Sequence, residues 1–333
     1  MVKILVTGGC GFIGSNFIKY ILGKYPDYLV TNLDALTYAG NPENLRGIAP
    51  ERYNFIHGGL SDKKLVETII GEVDAVVNFA AETHVDRSIS DAAPFLTTNV
   101  LGLHVLLDAA RRAGVGRFVH ISTDEVYGSL ETDDGLFTEE THLSPNSPYS
   151  ASKASGDLLA IAFWKTFSFP VTIVRPSNNY GPNQYPEKLI PLMITNLIED
   201  VPIPVYGEGK NVRDWLHVED NCRAIDLVLH GGRAGSVYNA GGECQKRNIE
   251  IVGIILDIMG KDGSAIRYVA DRPGHDYRYA LDNAKIGAQL GYSPRVALET
   301  GLENTVRWYV DNQWWWKPLK AKLRSESRGF WTG

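Results

Sequence analysis

Short apolar runs and longer stretches of helical spacing take turns along the first half of the chain. Lys3–Thr7, Tyr28–Leu33, Tyr53–Gly59, Asp74–Ala81, Arg117–Ile121 and Val171–Arg175 read as buried parallel strands. Strands covered on both faces need no polar alternation. Helical patterns follow the first run from Ser15, lie near Asp62–Ile70, and span roughly Ala92–Ala113 and Tyr149–Phe167. This order predicts an α/β protein with a Rossmann-type doubly wound parallel sheet.

Beyond Arg175 the rhythm changes. Residues 176–213 are rich in Pro, Asn, Gly and Tyr, with one helical pattern near Leu189–Glu199. Leu216–Asp220 with the helix to Leu229, and Ser236–Ala240, read as returns to the sheet. We therefore expect a first domain of residues 1–175 plus roughly 215–240. A smaller, discontinuous α/β domain of 176–214 and 241–322 would close a pocket against it. Residues 323–333 read as a polar tail.

Composition narrows the function classes. The 333 residues are 44% hydrophobic and 22% charged, as in soluble globular proteins. A net charge of -6 without a Lys/Arg cluster argues against a nucleic-acid surface. No apolar run approaches the ~18–20 residues of a membrane span. Cys10, Cys222 and Cys244 are far apart, with no CxxC and no His at metal spacing. They read as reduced thiols, and no metal site is expected. The first strand begins almost at once, leaving no room for a signal peptide. These features together predict a cytoplasmic protein.

The chemistry starts in the first turn. Gly8-Gly9-Cys10-Gly11-Phe12-Ile13-Gly14 satisfies both G-x-x-G-x-x-G and G-x-G-x-x-G between a strand and a helix. Glycines there let the backbone turn tightly and approach a pyrophosphate at the helix N-terminus. Asp34 ends the second strand about 20 residues later, where a carboxylate accepts from ribose hydroxyls and repels a 2′-phosphate. NAD is favoured over NADP.

The fifth run delivers Ser122-Thr123-Asp124-Glu125-Val126-Tyr127-Gly128 to the mouth of the sheet. Tyr149 and Lys153 follow, four apart on one helix face, so an ammonium can sit beside a phenol and lower its pKa. Taken alone, a Y-x-x-x-K is usually a solvated helix face, and Asp-Glu after a strand is usually a loop or helix start. Their order downstream of the glycine loop is what carries weight.

TGGCGFIG, Asp34, NFAAETHVDRS, STDEVYG, YSASK and RPSNNYGP together resemble an extended short-chain dehydrogenase/reductase. Within that group the chain is most similar to the dTDP-glucose 4,6-dehydratases, from the N-terminus to about Lys317. Thr123-Asp124-Glu125 discriminates, because the related sugar 4-epimerases carry small or neutral residues in place of the two acids. The resemblance implies NAD-dependent oxidation at C4 of dTDP-glucose, loss of water across C5/C6, and hydride return to C6. Tyr149 would take the O4 proton with Lys153 beside it, and Thr123 would bond O4. Glu125 would remove the C5 proton, and protonated Asp124 would release O6 as water. Adjacent carboxylates raise one another's proton affinity, which suits one acid and one base.

The same resemblance extends the cofactor site from Gly8, Gly11, Gly14 and Asp34 to Phe12, Ile13, Ala35, Leu36 and Thr37. Further along it adds Gly59, Leu60, Ala80, Ala81, Thr98 and Asn179, together with Tyr149 and Lys153. For the sugar nucleotide it implies Thr83, His84, Asn178, Lys188, Leu189 and Pro204, besides Thr123. Tyr206, Arg213, Asn248, Arg272 and His275 complete that set. Arg213 and Arg272 suit a diphosphate, since guanidinium binds phosphate oxygens in pairs. Gly59-Leu60 departs from the family pattern, in which an acid meets the adenine amino group; the contact is lost here or moves to Asp62. Helices near 94–112 and 150–166 imply a homodimer. Three alternatives stay open: the same chemistry on UDP-glucose, a nucleotide-sugar 4-epimerase or decarboxylase, and a non-catalytic NAD-binding regulator.

Overall fold

The computed structural model describes residues 1–132, 135–271 and 274–326. Its strands are β1 (Val2–Thr7), β2 (Tyr28–Asp34), β3 (Tyr53–His57), β4 (Ala75–Asn78), β5 (Arg117–Ile121) and β6 (Val171–Pro176). They continue as β7 (Asn178–Tyr180), β8 (Ile203–Tyr206), β9 (Val212–His217), β10 (Val237–Ala240), β11 (Gln245–Arg247) and β12 (Ile266–Val269). Seven of them form one sheet in the order β10-β6-β5-β4-β1-β2-β3, with every pairing parallel.

Alternate residues of these runs feed two cores. Ile4 and Val6 enter one and Leu5 the other, which is why β1 is apolar throughout. The first core is closed by α1 (Phe12–Lys24) and, from far down the chain, by a helix at Val218–Gly231. The opposite face is covered by α2 (Lys63–Ile70) and by the helices that follow β4 and β5. Those after β4 are α3 (Val85–Ser90), α4 (Ala93–Leu96), a π-helical turn at Thr97–Gly102, and α5 (Leu103–Ala113). After β5 comes α6 (Pro148–Phe167).

The chain leaves β1 toward β2 and β3, then returns to build β4, β5 and β6 on the other side. That reversal between β1 and β4 opens a crevice at the C-terminal strand ends.

The second half contributes α7 (Leu189–Ile198), the already described α8 (Val218–Gly231), α9 (Asn248–Ile258), α10 (Ala284–Leu290), α11 (Leu298–Asp311) and α12 (Gln313–Glu326). Ile190, Ile194, Ile251, Leu302, Tyr309 and Trp316 belong to a third, separate core. It sits with a three-stranded sheet, β11-β9-β7, and the pair β12-β8.

Four expectations are corrected. Leu216 and His217 belong to β9 and not to the central sheet. β9 pairs instead with β7 and β11, and β10, with Tyr238 and Ala240 fully buried, takes the edge beside β6. β4 stops at Asn78, so Ala80 and Ala81 lie beyond the strand. There Ala80 backs onto Gly8, whose φ is +71° and where an added Cβ would lie 2.6 Å from the Ala80 nitrogen. Only a glycine fits.

Residues 323–326 continue α12, where Lys320 (2.9 Å) and Arg324 (2.6 Å) both bind Glu199; the rest of the polar tail lies outside the described residues. Finally, Ala93–Ala113 is by length and composition apolar enough to cross a membrane. Its Leu103, Leu106 and Leu107 are buried in the sheet's second core, while Leu96 and Leu101 face outward.

Candidate active site

Two adjoining clefts, of about 360 and 190 Å³, occupy the C-terminal ends of the strands and the gap to the second half of the chain. The larger is lined by the Gly8–Gly14 loop, Asp34, Ala35, Thr37, Gly59, Leu60, Ala80, Ala81, Thr98, Tyr149, Lys153 and Asn179. Of the expected cofactor residues only Leu36 is missing from that lining. Its N–H donates to Asp34 Oδ1 at 2.8 Å and its side chain packs on the first core. Asp34 Oδ2 accepts from Cys10 N at 2.8 Å. Burial pushes its carboxyl up, against the pull of these two N–H donors. Each oxygen retains acceptor capacity for a hydroxyl. Asp62 is not among the lining of this cleft; its carboxylate caps α2 by accepting from Leu65 N at 3.0 Å.

The smaller cleft gathers Thr83, His84, Asn178, Lys188, Leu189, Pro204, Tyr206, Arg213, Asn248 and His275, residues spread over nearly 200 positions of sequence. Arg272 lies outside the described residues. Arg213 is buried and donates to three backbone carbonyls, those of Val212 (2.7 Å), Asp276 (3.0 Å) and Tyr277 (3.4 Å). It therefore fastens the 276–277 segment while also lining the cleft. His84 is the N-cap of α3, accepting from Arg87 N at 3.4 Å.

The clefts meet at Thr83, Glu125, Asn178, Asn179, Gln184, Glu187 and Lys188. Thr123 caps a 3-10 turn, Asp124–Tyr127, so both acids follow β5 directly, Asp124 into the larger cleft and Glu125 to the junction. Gly128 ends the turn at φ +86°, where a Cβ would meet the Ser144 carbonyl oxygen at 2.4 Å. Thr123 Oγ1 donates to Asp124 Oδ1 at 3.2 Å and accepts from Glu125 N at 3.3 Å.

Asp124 is buried, and its Oδ2 has no hydrogen-bond partner among the described residues. Burial first, then the neighbouring Glu125 and Asp214, hold its carboxyl well above the usual range, against the pull of Arg213 and Thr123. A carboxyl so placed favours its protonated form more than a solvated aspartate does.

Tyr149 starts α6. Ser147 and Ser150 form a reciprocal capping box around it, Pro148 occupies the first turn, and Tyr149 N donates to Ser88 Oγ at 3.1 Å. These contacts fix where the phenol enters the cleft. The phenol is held well above its ordinary value by burial and then by Glu125, while a hydrogen bond with Thr123 works the other way. Lys153 donates to the Ile121 carbonyl at 2.6 Å. Burial lowers its ammonium to about 8. Burial and the carboxylates outweigh any lowering of the Tyr149 phenol in this structure.

Sequence reading missed several residues at the junction. Glu187 is buried, 3.4 Å from Arg87 and 3.8 Å from His84, with burial raising its carboxyl. Tyr38, Glu82, Ser122, Ser177 and Tyr185 also line the larger cleft. The only signal in the sequence was the position of Glu187 beside Lys188 and of Ser122 beside Thr123.

A glycine loop under a helix, an acid closing β2 and a Tyr/Lys pair on α6, with two carboxylates beside them, define a dinucleotide-dependent enzyme built for several proton transfers. A family model described as GDP-mannose 4,6 dehydratase matches residues 5–305, and the chain belongs to that family. It is 55% identical over 325 residues to the dTDP-glucose 4,6-dehydratase of Streptomyces niveus, covering 96% of each chain. DesIV, a dTDP-glucose 4,6-dehydratase of Streptomyces venezuelae solved with NAD bound, superposes with a TM-score of 0.92 at 53% identity, over 96% of this chain and 100% of that one. The UDP-glucose 4-epimerase of Thermotoga maritima shares the fold (TM-score 0.87; 94% and 100% covered) at 28% identity.

Proposed function

We infer that the protein is an NAD-dependent dTDP-glucose 4,6-dehydratase, a hydro-lyase that forms dTDP-4-keto-6-deoxyglucose. The observation that carries this is the buried Asp124, its Oδ2 without a hydrogen-bond partner among the described residues, beside Glu125 where the two clefts join. An epimerase has no use for that pair. The glycine loop and Asp34 suit a dinucleotide: a Cβ at Gly14 would lie 2.4 Å from the Gly8 carbonyl oxygen, so the loop is as tight as a pyrophosphate cradle requires.

Bound NAD supplies a cationic acceptor for the C4 hydride, which returns later to C6. Tyr149, once ionised to the phenolate that neighbouring positive charge favours, takes the O4 proton, and Thr123, lining the same cleft, orients O4. The resulting ketone acidifies the C5 hydrogen, and Glu125 removes it. Asp124 delivers its proton to O6 as the C6–O bond breaks, releasing water. Glu125 then returns its proton to C5. Lys188 and Arg213 line the smaller cleft and suit the nucleotide diphosphate, and Leu189, Pro204, Tyr206 and Asn248, in the same lining, suit the base.

Incubation with NAD and dTDP-glucose, followed by mass spectrometry, is expected to show loss of one water without net NADH. An epimer of unchanged mass would overturn the assignment. Equal turnover of UDP-glucose would broaden the nucleotide specificity.

The working unit is a homodimer. Leu96 and Leu101 on the α4–α5 run, and Leu158 and Phe167 on α6, are large apolar side chains at 50–61% exposure on two neighbouring helices. Such a patch favours a helical partner. Leu101→Glu with Leu158→Glu is expected to convert a two-chain particle to a one-chain particle in light scattering after gel filtration. A wild-type single-chain mass would refute it. The cytosol is the proposed compartment, in keeping with three thiols that are all free.

A further inference from the structure

One turn beyond Lys153 on α6 stands Asp157, wholly buried. Positions i, i+4 and i+8 of a helix share one side. Phenol, ammonium and carboxylate therefore follow one another inward from the cleft. Asp157 Oδ2 accepts a 2.8 Å bond from Arg175 Nε, buried on β6. Arg175 Nη1 donates at 2.8 Å to the Tyr127 hydroxyl, which donates at 2.7 Å to Asn239 Oδ1. The other oxygen, Oδ1, has no hydrogen-bond partner among the described residues. His120 Nε2 faces it at 3.7 Å and is equally unpartnered.

The far side of the imidazole sets its tautomer. Thr7 Oγ1 donates to Asn78 Oδ1 at 2.5 Å, which leaves Asn78 Nδ2 to donate to His120 Nδ1 at 3.0 Å. An imidazole accepting at Nδ1 carries its proton on Nε2. Burial, with the charges of Lys153 and Arg175, keeps it neutral by pushing its pKa well below the ordinary value. An N–H thus points at an open carboxylate oxygen across a gap slightly too long for a hydrogen bond. Gly156 makes the room, since a Cβ there would come within 3.3 Å of His120 Nε2. Asp157 is consequently faced by Lys153 from its own helix, His120 from β5 and Arg175 from β6, with Tyr127 behind Arg175.

We propose that Asp157 is a positioning residue for the reaction: held by Arg175, its carboxylate keeps the buried Lys153 ammonium charged beside Tyr149. This rests on the roles given above to Tyr149 and Lys153. The Ile121 carbonyl orients Lys153 but brings no net charge. Asp157 supplies the charge that opposes the burial penalty on the ammonium. Without it Lys153 would lose its proton within the neutral range, and the phenol would face a neutral amine.

The test is Asp157→Asn, paired with Asp157→Asn/Arg175→Met, which removes one charge of each sign and leaves no buried guanidinium unpaired. Two readouts are taken on folded protein: the alkaline limb of kcat, and the titration of Lys153 in protein labelled with [ε-13C]lysine, assigned by Lys153→Met. The Lys153 midpoint, already lowered by burial, is expected to fall by about 1–3 pH units further. The alkaline limb of kcat should fall with it, and activity should recover as pH is lowered. An unchanged midpoint and limb in folded Asp157→Asn would overturn the proposal, whatever happens to Tm; the double variant controls for the guanidinium left unpaired. Native turnover by Lys153→Met would instead refute the role of Lys153 itself, a separate failure.

Discussion

Glu125→Gln is expected to bind NAD and to oxidise C4 of dTDP-glucose, yet to stop there. A glutamine amide keeps the shape of the side chain at the junction of the two clefts and cannot take a proton from carbon. Loss of a general base costs roughly 10²–10⁴ in rate. Because the first step survives, reduced cofactor should accumulate at 340 nm, whereas the native cycle consumes it. In deuterated water the variant should place no deuterium at C5. Native-rate dehydration, or C5 exchange at the native rate, would remove Glu125 from the role of base.

Asp124→Asn is expected to produce the opposite block. It should allow C4 oxidation and C5 exchange, and fail to expel O6, again by roughly 10²–10⁴. Here the pKa adds a second, physical readout. The Asp124 carboxyl is raised by burial and then by Glu125 and Asp214. A group whose folded pKa exceeds its unfolded one contributes stability that is complete below the unfolded value, near 3.9 for Asp. That contribution is lost as pH rises through the folded value. Thermal melts of the wild type should therefore decline on the alkaline side more steeply than those of Asp124→Asn. Parallel curves would mean that Asp124 does not titrate as a buried acid, and the assignment as O6 acid would lose its footing.

These opposed outcomes distinguish two neighbours that a sequence presents as equals. Asp124 and Glu125 share a turn, but Asp124 is buried and Glu125 only partly so. Which acid keeps its proton depends on what surrounds each, and Asp214, 90 residues away, is part of that surrounding. The same holds for Lys153. Its four-residue spacing from Tyr149 was plain, whereas its bond to the Ile121 carbonyl required β5 and α6 to be packed together.

The chain's local patterns determined a great deal. Alternating apolar runs and helical spacings specified the parallel sheet, the glycine loop and the acid at the end of β2, because each depends on residues near one another in sequence. The Tyr149/Lys153 face and the acids after β5 were legible for the same reason. Tertiary structure decided the rest. β10 rather than β9 joined the central sheet, β10 pairing with β6 while β9 pairs with β7 and β11. Asp62 was spent on capping α2, and Arg213 on the carbonyls of a distant loop. Glu187, His120 and Asp157 took their places only when separate elements closed around them. Burial and electrostatic coupling are sums over neighbours in space, so no local spacing could set them.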